Sequence, residues 1–229
     1  MSCIVIIPAA GSGSRFGSST PKQFVPLRGR PLIAHTLERV LSVPEVERII
    51  VAVAEEYEPV MRELVEEQML ERVRIVIGGS SRQESVLKAI RAIEHEEQKI
   101  VAIHDAVRPF FRASTFVSLI DTARKEGAAI PVRPLHETIH RVENGLIMET
   151  LDRSELVAAQ TPQCFRVGLV YPLLERAWHE SLSGTDEAAI ITSYGVSVRV
   201  IEGDPENLKI TTPADLALAE LKFDEWTQR

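Results

Sequence analysis

The chain has 229 residues, which is enough for one large α/β domain with a full core, and we expect residues 1–229 to form a single domain. It carries 33 acidic and 26 basic residues, and the resulting net charge of −7 argues against nucleic acid or an anionic membrane as a partner. No apolar stretch approaches the length of a membrane span, and the apolar run at the N-terminus is too short for a signal peptide. The two cysteines, Cys3 and Cys164, lack metal-ligand spacing and are typical of a reduced pair, so we expect a cytoplasmic protein.

The first predicted strand leads directly into a glycine-rich segment. After residues 3–7 the chain reads Pro8-Ala9-Ala10-Gly11-Ser12-Gly13-Ser14-Arg15, followed by Pro21-Lys22-Gln23. Glycines allow backbone N–H groups to surround an anion, and Arg15 and Lys22 add positive charge, so the segment predicts a phosphate site. The spacing matches neither the dinucleotide fingerprint nor a Walker loop, and Gly-x-Gly alone is equally compatible with a tight turn. With Arg15 and Pro21-Lys22 added, the pattern resembles the activated-sugar nucleotidylyltransferases, whose arginine and lysine hold the nucleotide triphosphate.

Short β-rich runs alternate with amphipathic segments along the chain. The predicted strands are 3–7, 49–54, 73–77, 100–103, 128–132 and 196–201, and the clearest predicted helices are 31–42, 59–70 and 83–97. This alternation predicts an α/β fold with a mostly parallel sheet and helices on both faces. Ligands of such sheets bind outside the carboxyl ends of the strands.

Two of these strand ends carry unusual residues. After strand 73–77 come Gly78 and Gly79, which permit a close approach of the backbone to a flat ligand such as a base. Ser81 and Glu84 have the spacing of a capping box, and a helix start explains them as well as a binding role does.

The strand at 100–103 is followed by His104 and Asp105. For His104 the favoured interpretation is a hydrogen-bonded histidine of the core. An acid after an apolar strand is a common way to hold Mg²⁺ or a ribose hydroxyl, so Asp105 is a candidate ligand of both.

The segment of about 133–155 interrupts the βαβ alternation. Residues 138–142 and 146–151 flank Asn144-Gly145, and this turn signal predicts a β-hairpin. A two-stranded ribbon is marginally stable alone and must pack on something. We expect an arm that packs on a second subunit, and the alternative is a hairpin folded onto its own domain.

Eight short motifs follow one another almost from end to end of the chain. They are Pro8-Ala9-Ala10-Gly11-x-Gly13-x-Arg15, Pro21-Lys22-Gln23, Gly78-Gly79-x-x-Arg82-x-x-Ser85-Val86, His104-Asp105-Ala106-x-Arg108-Pro109, Leu151-Asp152-Arg153, Gln160-Thr161-Pro162-Gln163, Thr185-Asp186-Glu187-Ala188 and Leu208-Lys209-Ile210-Thr211-x-Pro213-x-Asp215-Leu216. Their order and spacing resemble the 2-C-methyl-D-erythritol 4-phosphate cytidylyltransferase family, which forms a cytidine diphosphate ester in the non-mevalonate isoprenoid pathway.

The resemblance implies a Rossmann-like nucleotidyltransferase domain with a protruding arm, CTP and methylerythritol phosphate as substrates, Mg²⁺ as cofactor, and a homodimer joined through the arm. It implies that the nucleotide and its metal are bound by Pro8, Ala9, Ala10, Gly11, Gly13, Gly79, Ser80, Ser85, Asp105 and Ala106, with Asp105 as the metal ligand. The implied catalytic residues are Arg15, Lys22, Arg153 and Lys209. The polyol phosphate would also meet Arg108, Thr138, Thr161 and Thr185, with Thr138 and Arg153 supplied by the partner subunit.

The chain departs from the family pattern before Thr138, where Glu137 replaces the more usual aspartate after extra residues; Thr138 could be shifted as a result. Thr212, Pro213 and Asp215 are typical of a helix start and are expected to be structural. Ribitol-5-phosphate cytidylyltransferases share most of the motifs and remain an alternative. A non-catalytic nucleotide-binding domain is a second alternative, and it predicts the loss of at least one of the five cations Arg15, Lys22, Arg108, Arg153 and Lys209, all of which are present.

Overall fold

The computed structural model describes residues 2–11, 20–65, 72–93 and 95–227. Its strands are β1 (Cys3–Ala9), β2 (Pro26–Leu27), β3 (Arg30–Pro31), β4 (Val46–Val53), β5 (Val73–Ile77), β6 (Ile100–Ile103), β7 (Ala128–Pro134), β8 (Ile139–Glu143), β9 (Leu146–Leu151), β10 (Val157–Ala159), β11 (Gln163–Arg166) and β12 (Arg199–Glu202). Its α-helices are α1 (Leu32–Leu41), α2 (Glu58–Leu64), α3 (Arg82–Arg91), α4 (Ala113–Glu126), α5 (Val167–His179), α6 (Glu187–Ser193) and α7 (Pro213–Thr227). Among the described residues no helix is both long enough and apolar enough to cross a membrane.

The main sheet has eight strands and is mostly parallel. Strand β1 pairs in parallel with β4 and β6, β4 pairs in parallel with β5, and β12 pairs in parallel with β7. Strands β10 and β11 run antiparallel to β7, and β11 is inserted between β6 and β7. The carboxyl ends of β1, β4, β5 and β6 therefore meet at one edge of the sheet.

The alternation of side chains along β1 divides the core between the two faces of the sheet. Cys3, Val5 and Ile7 pack on the face covered by α1 and α4, whereas Ile4 and Ile6 pack on the face covered by α3 and α5. A smaller apolar cluster joins α7 to α1 and to the segment after β6. Helices on both faces confirm the predicted layer architecture.

Several predicted elements need correction at their ends. The helix predicted at 83–97 covers 82–91, and the strand predicted at 196–201 covers 199–202. The helix predicted at 59–70 is described as 58–64, and the rest of that prediction largely lies outside the described residues. The sequence reasoning did not identify the antiparallel strands β10 and β11, because runs of three and four residues carry little periodicity.

Strands β8 and β9 form the predicted hairpin, hereafter the arm, and pair only with each other in the described chain. Asn144 and Gly145 have φ of 50° and 80°, the left-handed conformations that a two-residue turn between twisted strands requires. Large apolar side chains remain exposed on the arm, with Leu146 at 69 % and Ile147 at 63 %. The arm thus protrudes instead of folding onto its own domain.

Candidate functional site

A two-part cleft lies at the carboxyl edge of the sheet. The first chamber is lined by Pro8, Ala9, Ala10, Gly11, Lys22, Gln23, Arg82, Ser85, Asp105, Ala106, Val107 and Lys209. The second chamber is lined by Arg82, Asp105, Arg108, Ala159, Gln160, Thr161, Gln163, Thr185, Asp186 and Lys209. Because Arg82, Asp105 and Lys209 line both chambers, they form the boundary between them.

Asp105 is the centre of charge at this boundary and is only 6 % exposed. Its Oδ2 atom accepts from Lys209 Nζ at 2.9 Å and from Arg108 Nε at 3.1 Å, while its Oδ1 atom lies 3.8 Å from Arg82 Nε, beyond hydrogen-bond distance. Burial opposes ionisation, but Lys209, Arg82 and Arg108 together hold the pKa of Asp105 well below its usual range. The carboxylate is therefore charged at neutral pH, and Oδ1 is the oxygen turned away from its two hydrogen-bonded cations.

His104 is a fully buried histidine, as expected from its place after β6. Its Nε2 lies 3.0 Å from the Arg108 carbonyl, which can only accept, so Nε2 carries the proton. Its Nδ1 then accepts from the Thr161 hydroxyl at 3.0 Å, and that oxygen in turn accepts from the Asp105 N–H at 3.1 Å. Burial lowers the pKa of His104 to about 4, so the ring is neutral and serves to orient Asp105.

The segment 8–11 after β1 is held in place by the side chain of Gln23. Its Nε2 donates to the carbonyls of Ala9 at 2.6 Å and Gly11 at 3.0 Å from a position that is 3 % exposed. The neighbouring Lys22, at the start of a 3₁₀ turn, lines the first chamber as predicted. The predicted site residues Gly13 and Arg15 lie outside the described residues.

The Gly78-Gly79 pair approaches the segment 8–11 closely. A Cβ atom on Gly78 would lie 2.6 Å from the Ala10 Cβ and 2.9 Å from the Ser85 Oγ, so a side chain there would push the two segments apart. Ser85 is buried in the wall of the first chamber, where its Oγ accepts from the Gly79 N–H at 3.0 Å and donates to the Ser81 carbonyl at 2.8 Å. Ala106 lines the first chamber, whereas Gly79 does not line it and contacts its wall through the hydrogen bond to Ser85.

The capping-box prediction is half correct. The Ser81 hydroxyl accepts from the Glu84 N–H at 3.1 Å and caps α3. The Glu84 carboxylate, however, accepts from the N–H and the hydroxyl of exposed Ser80, at 2.7 and 2.8 Å, instead of from Ser81. Glu84 therefore fixes the conformation of the loop that follows β5.

The residues predicted for the second substrate separate into two groups. Arg108, Thr161 and Thr185 line the second chamber, and Arg108 also donates to the Asn207 carbonyl at 2.7 Å, which fixes the loop that carries Lys209. Thr138 and Arg153 are exposed at the base of the arm and line neither chamber; Arg153 donates to the His136 carbonyl. One chain therefore brings together the first group and leaves the second outside.

Sequence reasoning gave no role to Gln23 and Arg82, which line the cleft, or to Glu187, which is buried next to Arg82. Arg82 forms a bidentate ion pair with Glu187, from Nη1 to Oε1 at 2.7 Å and from Nη2 to Oε2 at 2.9 Å. All three residues belong to the sequence motifs that identify the family, and this membership was the feature of the sequence that could have marked them as functional. Their partners lie 12 to 105 residues away, so the contacts themselves were not visible in the sequence.

The chain is similar to known proteins over nearly its whole length. Residues 3–225 match the family model described as 2-C-methyl-D-erythritol 4-phosphate cytidylyltransferase. A protein of that name from Symbiobacterium thermophilum is 42 % identical over 222 residues, covering 96 % of this chain and 92 % of its own, and one from Acidobacterium capsulatum is 42 % identical over the full length of both. The solved structure of the enzyme from Francisella tularensis superimposes with a TM-score of 0.84 at 28 % identity, over 97 % of this chain and all of the other.

Proposed function

The chain belongs to the 2-C-methyl-D-erythritol 4-phosphate cytidylyltransferase family, and from that premise we propose that it transfers CMP from CTP to 2-C-methyl-D-erythritol 4-phosphate and releases pyrophosphate. The observation that supports this most directly is the boundary between the two chambers. There Lys209 and Arg108 contact a buried, ionised Asp105, and Lys22 lines the adjoining chamber, in a protein whose net charge is −7. A local cluster of cations is what two polyanionic substrates need in order to meet.

The reaction needs no protein nucleophile. A phosphate monoester is largely dianionic near neutral pH, and one of its oxygens can attack the α-phosphorus of CTP. The new bond joins that oxygen to the α-phosphorus, the bond from the α-phosphorus to the bridging oxygen breaks, and pyrophosphate leaves with the electron pair. The protein's contribution is to align the two substrates and to stabilise the charge that develops on the transferring group.

The two chambers suit the two substrates. We assign CTP to the first chamber, where the segment 8–11 and Lys22 would meet the triphosphate and Ser85, Gly79 and Ser80 would meet the cytosine. We assign the polyol phosphate to the second chamber, next to Arg108, Thr161 and Thr185. Lys209 lies at the boundary and would contact the transferring phosphate, and Arg15 is assigned to the same phosphate from the sequence alone.

Asp105 fits a divalent cation. Its Oδ2 is occupied by Lys209 and Arg108, whereas Oδ1 is not hydrogen-bonded to Arg82. The described residues contain no group of three or more His, Cys, Asp or Glu side chains that could hold a metal, so Mg²⁺ would be bound by Asp105 together with phosphate oxygens, as is usual for this ion. When bound, Mg²⁺ would neutralise charge on the triphosphate and on the departing pyrophosphate.

We assign the arm to a homodimer interface. Val142, Leu146, Ile147 and Met148 are each between 58 % and 69 % exposed, and several large apolar side chains exposed on one hairpin are typical of an interaction site. A second copy of the chain that covers the arm would also bring Thr138 and Arg153 to a cleft that one chain leaves without them. Each active site would then combine the cleft of one subunit with the arm of the other.

The proposed activity is tested by measuring pyrophosphate release from CTP and Mg²⁺ with each polyol phosphate in turn. We expect turnover with 2-C-methyl-D-erythritol 4-phosphate and at least tenfold lower kcat/KM with ribitol 5-phosphate. The reverse preference would assign the chain to the ribitol phosphate enzymes. Binding of CTP without pyrophosphate release from either mixture would indicate a non-catalytic nucleotide-binding protein.

A further inference from the structure

The ion pair between Arg82 and Glu187 joins the two chambers behind Asp105. Arg82 is the first residue of α3 and Glu187 is the first residue of α6. The residue before each of them caps its helix: Ser81 accepts from the Glu84 N–H, and Asp186 accepts from the Ala189 N–H. The two capped helix starts are thus tied together by one bidentate contact, with Glu187 only 1 % exposed.

Stability alone gives little reason for this pair. A buried ion pair often contributes no more than a well-packed apolar pair of the same volume, because both charges lose their hydration. What the planar guanidinium adds is geometry, since its two parallel N–H···O bonds fix both the distance and the angle between the partners. The pair therefore specifies how α3 and α6 stand relative to each other.

The elements that the pair joins carry different substrate residues. Helix α3 includes Ser85 of the first chamber, and α6 directly follows Thr185 and Asp186 of the second. Asp186 also accepts from Gln163 Nε2 at 2.8 Å, so the start of α6 is anchored to the sheet as well. A change in the Arg82–Glu187 distance would shift the first chamber against the second.

We propose that Arg82 and Glu187 are a positioning pair that sets the distance and angle between the nucleotide and the acceptor phosphate, an inference that rests on the proposed function of the two chambers. Arg82 acts through Glu187 in this role and its charge is matched by that carboxylate. Arg82 Nε lies 3.8 Å from Asp105 Oδ1, so the hydrogen bonds of its guanidinium go to Glu187 and not to Asp105. In-line transfer depends on such alignment, and an error of about 1 Å can cost ~10²-fold in rate.

The test compares Glu187→Gln, which keeps the length and loses the charge, with Glu187→Asp, which keeps the charge and is one methylene shorter. We expect both to lower kcat by ~10-fold or more while the Kd of CTP, measured by calorimetry without the second substrate, stays within about threefold of wild type. If Arg82 instead bound phosphate directly, Glu187→Gln would free its charge and tighten CTP binding, and Glu187→Asp would leave kcat near normal. Either of those results overturns the proposal.

The chain offers a matched control in Arg91 and Glu175. This pair is also bidentate, at 2.6 and 2.8 Å, and it joins the other end of α3 to α5. Glu175→Gln and Glu175→Asp should leave kcat within twofold of wild type.

If the Glu187 variants do not fold, Arg82→Lys gives the same test, because lysine keeps the charge and loses the planar fork. A kcat and a CTP Kd at the wild-type values in Arg82→Lys would also overturn the proposal. Wild-type enzyme is measured first in the same assay: a wild type without turnover contradicts the proposed function, whereas an active wild type with unchanged variants contradicts the positioning pair alone.

Discussion

The cleft and the arm differ in how far their side chains are buried and find partners within a single chain. In the cleft, Asp105 meets two hydrogen-bonded cations, Gln23 meets two carbonyls, and the Thr161 hydroxyl joins His104 to the Asp105 backbone. On the arm, Leu146 and Ile147 are more than 60 % exposed, and the two strands pair only with each other in the described chain.

This difference separates side chains that have partners within one chain from side chains that one chain leaves exposed. The cleft geometry follows from contacts inside the fold, so substitutions there should change catalysis without changing association. The side-chain contacts of the arm, such as the Arg141–Glu149 ion pair, join its two strands to each other, and its large apolar side chains stay exposed. Apolar side chains exposed in this way are typical of a surface that another molecule covers. Substitutions on the arm should therefore act through association.

The largest effect is expected for Lys22→Ala in the cleft. Lys22 lines the first chamber beside the segment 8–11, where a fixed cation would stabilise charge on the transferring phosphate. We expect kcat to fall by ~10²–10³-fold with an unchanged melting temperature. Lys125→Ala, on an exposed position of α4, is the control for loss of one positive charge. Near-normal turnover at saturating CTP would remove Lys22 from the catalytic residues.

The choice of base is the second test of the cleft. The Ser85 Oγ is fixed by the Gly79 N–H and the Ser81 carbonyl, so the polar atoms that face a bound base have little freedom to adapt. A pyrimidine with the wrong exocyclic group leaves buried polar atoms unpaired, and we expect kcat/KM for CTP to exceed that for UTP by ~10². Comparable use of all four nucleoside triphosphates would show that these residues do not recognise the base.

The sheet and the position of the cleft could be predicted from the sequence because both depend on local patterns. Apolar runs of four or more residues identified β1, β4 and β6, the β-rich run of residues 73–77 identified β5, and the carboxyl ends of parallel strands must share an edge. Strands β10 and β11 were missed, since short antiparallel strands are recognised by pairing with β7 and not by their own composition.

The site was predicted less completely than the fold. Lys22, Ser85, Asp105 and Lys209 could be proposed because each lies in a motif, and they do line the cleft. The ion pair between Arg82 and Glu187 spans 105 residues, and no local pattern fixes a contact at that separation. Arg153 and Thr138 line neither chamber of their own chain, so their predicted roles depend on the proposed homodimer.

A mixing experiment connects the two regions. Lys22→Ala damages a cleft and Arg153→Ala damages an arm, so a mixed dimer has one doubly damaged site and one site with both residues intact. With random association, half of the dimers are mixed, and co-refolding equal amounts should restore about a quarter of wild-type activity. If Arg153 serves its own subunit, every site stays damaged and the mixture is no more active than the separate variants.

The smallest change is expected for Ile147→Asp on the arm, where the effect should depend on protein concentration. Ile147 lies opposite Val142 in the hairpin, and both side chains are more than half exposed, so a carboxylate at position 147 costs the isolated chain little. At an interface the same carboxylate would be buried without a partner, which weakens association. Sedimentation should therefore show about half the wild-type mass at low concentration, while the free energy of unfolding of the monomer changes by less than ~0.5 kcal/mol. Leu221→Asp, at a position 83 % exposed on α7, is the matched control and should leave the mass unchanged.

Because the cleft itself is intact in Ile147→Asp, its turnover should rise toward the wild-type value as the protein is concentrated. A variant that stays monomeric and fully active at every concentration would show that the cleft works without the arm of a second chain.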